Sequence, residues 1–354
     1  MRNKELDGLR GLAAMAVALG HCNIVTTGVD VWSKNASDFP HMSIWEIIGR
    51  LGHVLFPADA AVTIFFVMSG YVLWGSLLRR NESPLTSFVP YTISRLYRLL
   101  PVSIVSAIII GLIVDSTASE LSKNALFLSF SLNGVLWSLQ VEVLGSFLIF
   151  FMFALSASRP WLLALILAGT TAMAYSNPVP LFLFLPTFVL GISLHYLPAG
   201  FFRSSALLWA GYLSLILADL ILHRGFLSRT VGFISAWLIV GCIIQSKPVF
   251  LLRPSIQKLG DLSYSFYLSH TAGLICARIL LAKLPFAISN QFMLFLFFVS
   301  VSLIVSLPLS WLIHTLVEKP GMQAGANLSR SAVEVMRRLL ESSKRKEKAI
   351  ASAR

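Results

Sequence analysis

ELDGLRGLAAMAVALGH, residues 5–21, is an apolar segment entered through a charged lip. Most of it reads as the first half of a membrane-spanning helix, yet it carries Arg10 near its start and His21 well inside. Eleven residues separate the two, about 16 Å along a helix axis at about 1.5 Å per residue. Eleven steps of about 100° make three turns plus about 20°, so both side chains leave the same face. Ala14 and Val17 lie between them on that face and add no polar group. An arginine and a histidine on one side of an apolar helix are costly in lipid, so they face a protein interior or a polar cavity.

The rest of the chain has the composition of a polytopic membrane protein. Its 354 residues are 56% hydrophobic and 12% charged, with mean hydropathy +0.78, where a soluble domain carries about 25% charge. Apolar runs mark about ten candidate spans, near 9–25, 60–78, 97–114, 136–156, 160–176, 180–197, 205–222, 230–246, 262–282 and 292–315, each close to the length that crosses the hydrocarbon layer. The fold expectation is therefore an all-α integral membrane protein of about ten helices, over residues 1–320. Little more than Ser176–Asn177–Pro178 separates the fifth run from the sixth. No small-x-small cleavage site follows the first run, which reads as a retained span.

The net charge of +12 does not call for nucleic acid, because its distribution follows the positive-inside bias. With the N-terminus inside, the inner set is Arg2, Lys4, Arg10, Arg79, Arg80, Arg95, Arg98, Arg159, Arg203, Lys247, Arg253, Lys258 and the tail. The outer set is Lys34, Arg50, Lys123, Arg224, Arg229 and Lys283. Both termini are then expected in the cytoplasm. The stretch from Val25 to Ile48 holds Asp30, Lys34, Asp38, His41 and Glu46 and reads as a polar outer loop, part of an acceptor mouth. In the tail, 321–354, Val333, Met336, Leu339 and Leu340 repeat at helical spacing against Arg337, Arg338, Lys344, Arg345, Lys346 and Lys348. That is a basic amphipathic helix suited to an anionic inner leaflet. Cys22, Cys242 and Cys276 lie in apolar runs without metal-ligand spacing and read as inert thiols.

An arginine, ten residues and a histidine after LDGLRGLAA resembles the first-span signature of the membrane acyltransferase-3 family, bacterial O-acyltransferases of sugars and related acceptors. Four further stretches resemble family motifs in order. YTISRLYRLLP, 91–101, matches an arginine-rich segment that ends in proline and is associated with the acyl-CoA donor, which makes Arg95 and Arg98, with Arg10, donor-binding candidates. Guanidinium forks suit phosphate geometry, although Ser94 stands where many members have another arginine. WSLQVE, 137–142, matches the first half of a motif whose second glutamate and glutamine are replaced here by Val143 and Leu144. FFVMSGYVL, 65–73, and GDLSYSFYLSH, 260–270, look like the second-span and ninth-span motifs. Glu318–Lys319–Pro320 fits the end of the last helix and reads as a terminator.

The resemblance implies acyl transfer, acetyl above all, from acyl-CoA as co-substrate to a hydroxyl of a carbohydrate or glycan acceptor, in a bacterial inner membrane. No resident cofactor or metal is implied. An alcohol is a poor nucleophile until its proton is taken, and a neutral buried histidine such as His21 is a suitable base. Glu142 either orients His21 or a cation, or serves as a structural ion pair. Ser69 reads first as a helix-packing residue, and Trp137 as an interfacial or substrate-facing ring. His270 reads as a packed or a cavity-lining histidine, and Ser138 and Tyr264 are further cavity-lining candidates. The rival reading is a secondary transporter of a small molecule or glycan precursor, with Arg10, His21 and Glu142 as a polar relay. The pantetheine arm of CoA, on the order of 20 Å long, suits a site between helices, which makes transfer through the membrane geometrically reasonable.

Overall fold

The computed structural model describes residues 3–352 except 81–82, 157–158, 177–178 and 223–224, and leaves out the side chains of 85, 156, 160, 339–341 and 343–352. Arg2 and Arg224 of the charge asymmetry and the Asn177–Pro178 separator thus lie outside the described residues, as do the side chains of Leu339, Leu340, Lys344, Arg345, Lys346 and Lys348 in the tail. All regular structure among the described residues is helical.

In chain order the helices are α1 (Lys4–Thr27), α2 (Val29–Ser33), α3 (Ile44–Leu55), α4 (Ala58–Leu78), α5 (Pro84–Ile113), α6 (Ala118–Ala125), α7 (Leu136–Ser156), α8 (Pro160–Ser176), α9 (Pro180–Leu183), α10 (Leu185–Ser193), α11 (Ser205–Ile221), α12 (Phe226–Ser246), α13 (Pro254–Ala282), α14 (Gln291–Ile313) and α15 (Lys319–Ser352). Seven helical stretches are long and apolar enough to cross a bilayer, and the chain is a multi-pass membrane protein. The other three expected spans form shorter apolar helices. α8 and α11, at 17 residues each, reach about 26 Å, and the sixth run is broken at Phe184 between α9 and α10.

α1 sits inside the bundle against α13, α4 and α14. Its start is fixed by Asn3, whose side chain accepts from the Leu6 amide at 3.1 Å, satisfying one of the free amides of a first turn. It meets α13 glycine to glycine: a β-carbon on Gly11 would lie 2.5 Å from the Gly260 nitrogen, and one on Gly260 would strike the Asp7 carbonyl. Ten residues further along each helix, His21 meets His270. The equal step means that the two helices run parallel and stay together for about 15 Å. α4 and α10 use the same device, with Gly70 on Phe188 and Gly191 on Val67. Small residues let backbones approach closely in this way.

Two expectations need correction. The third span does not begin near residue 97: α5 is helical from Pro84 and carries Pro90 and Pro101 inside it. Arg95 and Arg98 therefore stand along a continuous helix, half-buried, with Arg95 inside the span and not before it. Nor does Glu318–Lys319–Pro320 end the last span. A π-helical turn, His314–Glu318, carries α14 directly into α15. Proline lacks only its own amide hydrogen and is tolerated in a first turn, and a π-turn re-registers the bonds there. α15 then packs on α5. Its Gly321 and Gly325 lie on Tyr97, whose carbonyl Pro101 cannot bond. Ser329 hydrogen-bonds Ser94 at 2.9 Å and donates to the Pro90 carbonyl. Further along, Val333 and Met336 are half-buried while Arg337 and Arg338 are exposed, as the amphipathic spacing requires.

The segment from 25 to 48 is folded onto the end of α1. Asn23 donates to the Gly49 carbonyl at 2.8 Å, and Thr27 meets His53. Arg50, counted among outer loop charges, is 1% exposed and clamps α3 to α11 through the Asp219 carboxylate at 2.8 Å and its carbonyl. Asp38 and Glu46 accept backbone amides at helix starts.

The α1–α13 contact gives a direct test. Gly260→Val should lower stability by about 1–3 kcal/mol, as overpacking does, read as a fall in melting temperature in detergent. Gly232→Val, at a site with nothing within 4 Å, should leave it nearly unchanged.

Candidate active site

A cavity of about 650 Å³ lies between α1, α4, α5, α7, α13 and the turn into α15. Each wall follows from a helix already described. α1 brings Asp7 and Arg10, α5 brings Arg95 and Arg98 one turn apart, and α7 brings Ser138 and Glu142. α4 contributes Ser69, and α13 contributes Tyr264 and Tyr267. The π-turn adds His314 and Glu318, and α15 adds Lys319. Six of the residues expected from the sequence therefore share this cavity with Tyr264: Arg10, Ser69, Arg95, Arg98, Ser138 and Glu142. Trp137 does not line it, but packs edge-on against Phe66 and tilted on Phe184. His21 and His270 also lie outside the lining.

Charges at membrane depth need partners, and most here have one. Arg10 is 3.3 Å from Asp7. Arg95 is 4.0 Å from Glu142, which also accepts from Ser69 at 3.4 Å. Glu318 accepts from Ser265 at 2.7 Å and is bonded to His314 Nδ1 at 2.8 Å. Two cations differ. Arg98 approaches only the Met322 sulfur, at 3.8 Å, and neither it nor Lys319 has a carboxylate partner among the described residues. Two such cations at the edge of one cavity suit an anionic ligand.

The histidines form the next layer, beyond the cavity end. His21 Nδ1 is 2.9 Å from His270 Nε2, and His270 Nδ1 is 2.7 Å from the Tyr267 carbonyl. A carbonyl has no proton to give, so His270 Nδ1 is the donor. In the uncharged ring Nε2 is then an acceptor, and His21 Nδ1 must donate to it. The lone pair of His21 is thereby left on Nε2, which no described residue bonds. His270 is fully buried and stacks on His21 with centroids 5.1 Å apart. Tyr267 links this layer to the cavity, since its hydroxyl hydrogen-bonds Ser138 at 2.8 Å. The arrangement is an oriented base, with His270 one turn along α13 past the lining residue Tyr267 and His21 three turns along α1 past the lining residue Arg10.

A family model for the acyltransferase domain of the acyltransferase-3 type matches residues 3–314. The chain belongs to the membrane acyltransferase-3 family. No curated protein and no solved structure matches it. As a member of that family it is a membrane acyltransferase, and the matched residues hold both histidines of the pair and nearly all of the cavity. Glu318 and Lys319 fall just past the matched region.

Several cavity residues escaped the sequence reading. Asp7 had a signal, since it stands three residues before Arg10 and i,i+3 positions share a face. Asp261 and Tyr267 lay within a quoted motif without a role. Glu318 was absorbed into a terminator, and His314 lay in an apolar run four residues before it, the same spacing signal.

Glu318→Ala should strand both Ser265 and His314. Unsatisfied buried groups cost about 1–3 kcal/mol each, so a large fall in melting temperature is expected. Glu318→Gln keeps an accepting oxygen and should retain most of the stability.

Proposed function

We propose that this acyltransferase moves an acyl group, acetyl above all, from acyl-CoA to a hydroxyl of a carbohydrate-type acceptor. The observation that carries the reading is the His21–His270–Tyr267 chain, which leaves one histidine nitrogen free to accept a proton beside a cavity with unpartnered cations. Arg98 and Lys319 receive donor phosphates, with Arg95 one turn nearer the start of α5 and Arg10 on the α1 wall. The thioester reaches the Ser138–Tyr267 layer. His21 Nε2 takes the hydroxyl proton, the alkoxide oxygen attacks the thioester carbonyl, and the CoA thiolate leaves. His270 acts as a positioning residue, holding the His21 tautomer as a carboxylate does in hydrolase triads. Glu142 holds Arg95 in place.

The charge distribution supports an orientation with both termini in the cytoplasm of a bacterial inner membrane. Donor cations then face the cytoplasm, and His21 lies toward the other side. In sealed vesicles of known orientation, acyl-CoA should be consumed only from the cytoplasmic face, with acylated product on the opposite side. His21→Ala should lower the rate by about 10²–10⁴-fold, the usual worth of a general base, with a moderate fall in melting temperature because the buried His270 Nε2 loses its donor. A folded His21→Ala protein with full activity would overturn the assignment. A transporter would leave acyl-CoA intact throughout.

The donor assignment has a separate readout. Arg98→Ala should raise the KM for acyl-CoA with kcat little changed at saturation, the pattern of lost ground-state binding. Arg95→Ala should in addition lower stability, because it leaves Glu142 without its cation.

A further inference from the structure

A second cavity, of about 380 Å³, lies between α8, α10 and the first two turns of α12. Its lining is mostly apolar, with Leu167, Leu190 and Phe233 among the walls, and its one ionised side chain is Arg229. The Arg229 side chain is exposed and makes no hydrogen bond or ion pair with a described residue. Tyr175 and Phe226, also lining residues, are both exposed and meet edge to face at 4.9 Å. The space is therefore a greasy slot with aromatic edges and a free guanidinium.

Its position in the bundle matters. Ser228 of α12 donates to the Ala218 carbonyl, and the neighbouring Asp219 is clamped by Arg50 onto α3, which is anchored on the end of α1 beside Asn23 and Thr27. The slot thus opens at the end of the bundle that holds His21. Inward, Phe233 meets Phe184 at 5.8 Å, and Phe184 meets Phe66, a lining residue of the first cavity, at 5.2 Å. One side chain, at the break between α9 and α10, stands between the two spaces.

We infer that the second cavity binds the hydrocarbon chain of a phosphate-bearing lipid, with its phosphate on Arg229 and Phe184 closing the inner end. Apolar walls take the chain, and a guanidinium without a carboxylate is the natural fork for phosphate. The volume is at the low end for ligand sites and fits a chain, not a headgroup. Resting on the proposed function, the lipid is the anchor of the acceptor. Its sugar head stays in water at the His21 end, while Phe184 keeps the chain away from the donor cavity.

The test uses the purified full-length protein and two photoreactive probes of equal chain length, an alkyl phosphate and the corresponding alcohol. The phosphate should label the Phe226–Ser246 helix and α8 at least about tenfold better than the alcohol, in line with a charged hydrogen-bonded pair. Arg229→Gln should bring the phosphate down to the alcohol level, and Arg229→Lys should restore part of the difference. Equal labelling by both probes, or labelling spread over all membrane helices, would overturn the site. So would labelling that Arg229→Gln leaves unchanged, which would make Arg229 an interfacial anchor. The labelling uses no acyl-CoA, so it is separable from catalysis. Selective labelling in a protein that never consumes acyl-CoA keeps the site and removes the enzyme reading. Equal turnover of lipid-phosphate-linked and free sugar acceptors, unaffected by Arg229→Gln, keeps the enzyme reading and removes this one.

Discussion

The close passage of α1 against α13 is the contact on which the rest of the site depends. With no side chain at Gly11 or Gly260, the two backbones touch, and Asp7 and Arg10 come to line the same space as Asp261 and Tyr264. Because the helices run parallel, the same contact brings His21 to His270 ten residues later. A charged cavity and a histidine pair are thus two consequences of one helix crossing. Packing of this kind is the main source of association where lipid offers no hydrophobic drive between helices.

The second constraint is the cost of charge in an apolar bundle. Asp7, Glu142 and Glu318 each stand close to a cation or a hydrogen-bond donor, and with Asp261 they equal in number the arginines and lysine of the cavity, Arg10, Arg95, Arg98 and Lys319. Arg98 and Lys319 are the two of these cations that have no carboxylate partner among the described residues. Two cations left with free donors suit an anionic ligand. Among the described residues, no carboxylate bonds the histidine pair beyond the cavity. Its order comes from a carbonyl, which fixes every proton in the chain from Tyr267 to His21.

The π-turn at His314–Glu318 joins these two parts of the structure. It places His314 and Glu318 in the cavity wall and turns the chain so that α15 lies along α5, with Ser329 against Ser94. Ser94, at the position where the family motif more often carries an arginine, is therefore used here to tie α15 to α5. Extra residues per turn at a functional wall are a common use of π-geometry.

The sequence alone determined the all-helical membrane class, because apolar length and low charge leave a buried chain no other way to satisfy its backbone. It also determined the shared face of Arg10 and His21, a matter of helical angle, and the family, through five ordered motifs. Spacing within one helix is a local property, so it is legible before folding. Only the tertiary structure decided which residues meet across helices. It paired His21 with His270, Arg95 with Glu142 and Glu318 with Ser265, contacts between residues 249, 47 and 53 positions apart. It also set Arg95 and Arg98 inside a continuous helix and carried the last span through Pro320. The physical reason is that these outcomes depend on helix crossings and on a backbone bond freed or re-registered by a neighbour, neither of which a single helix encodes.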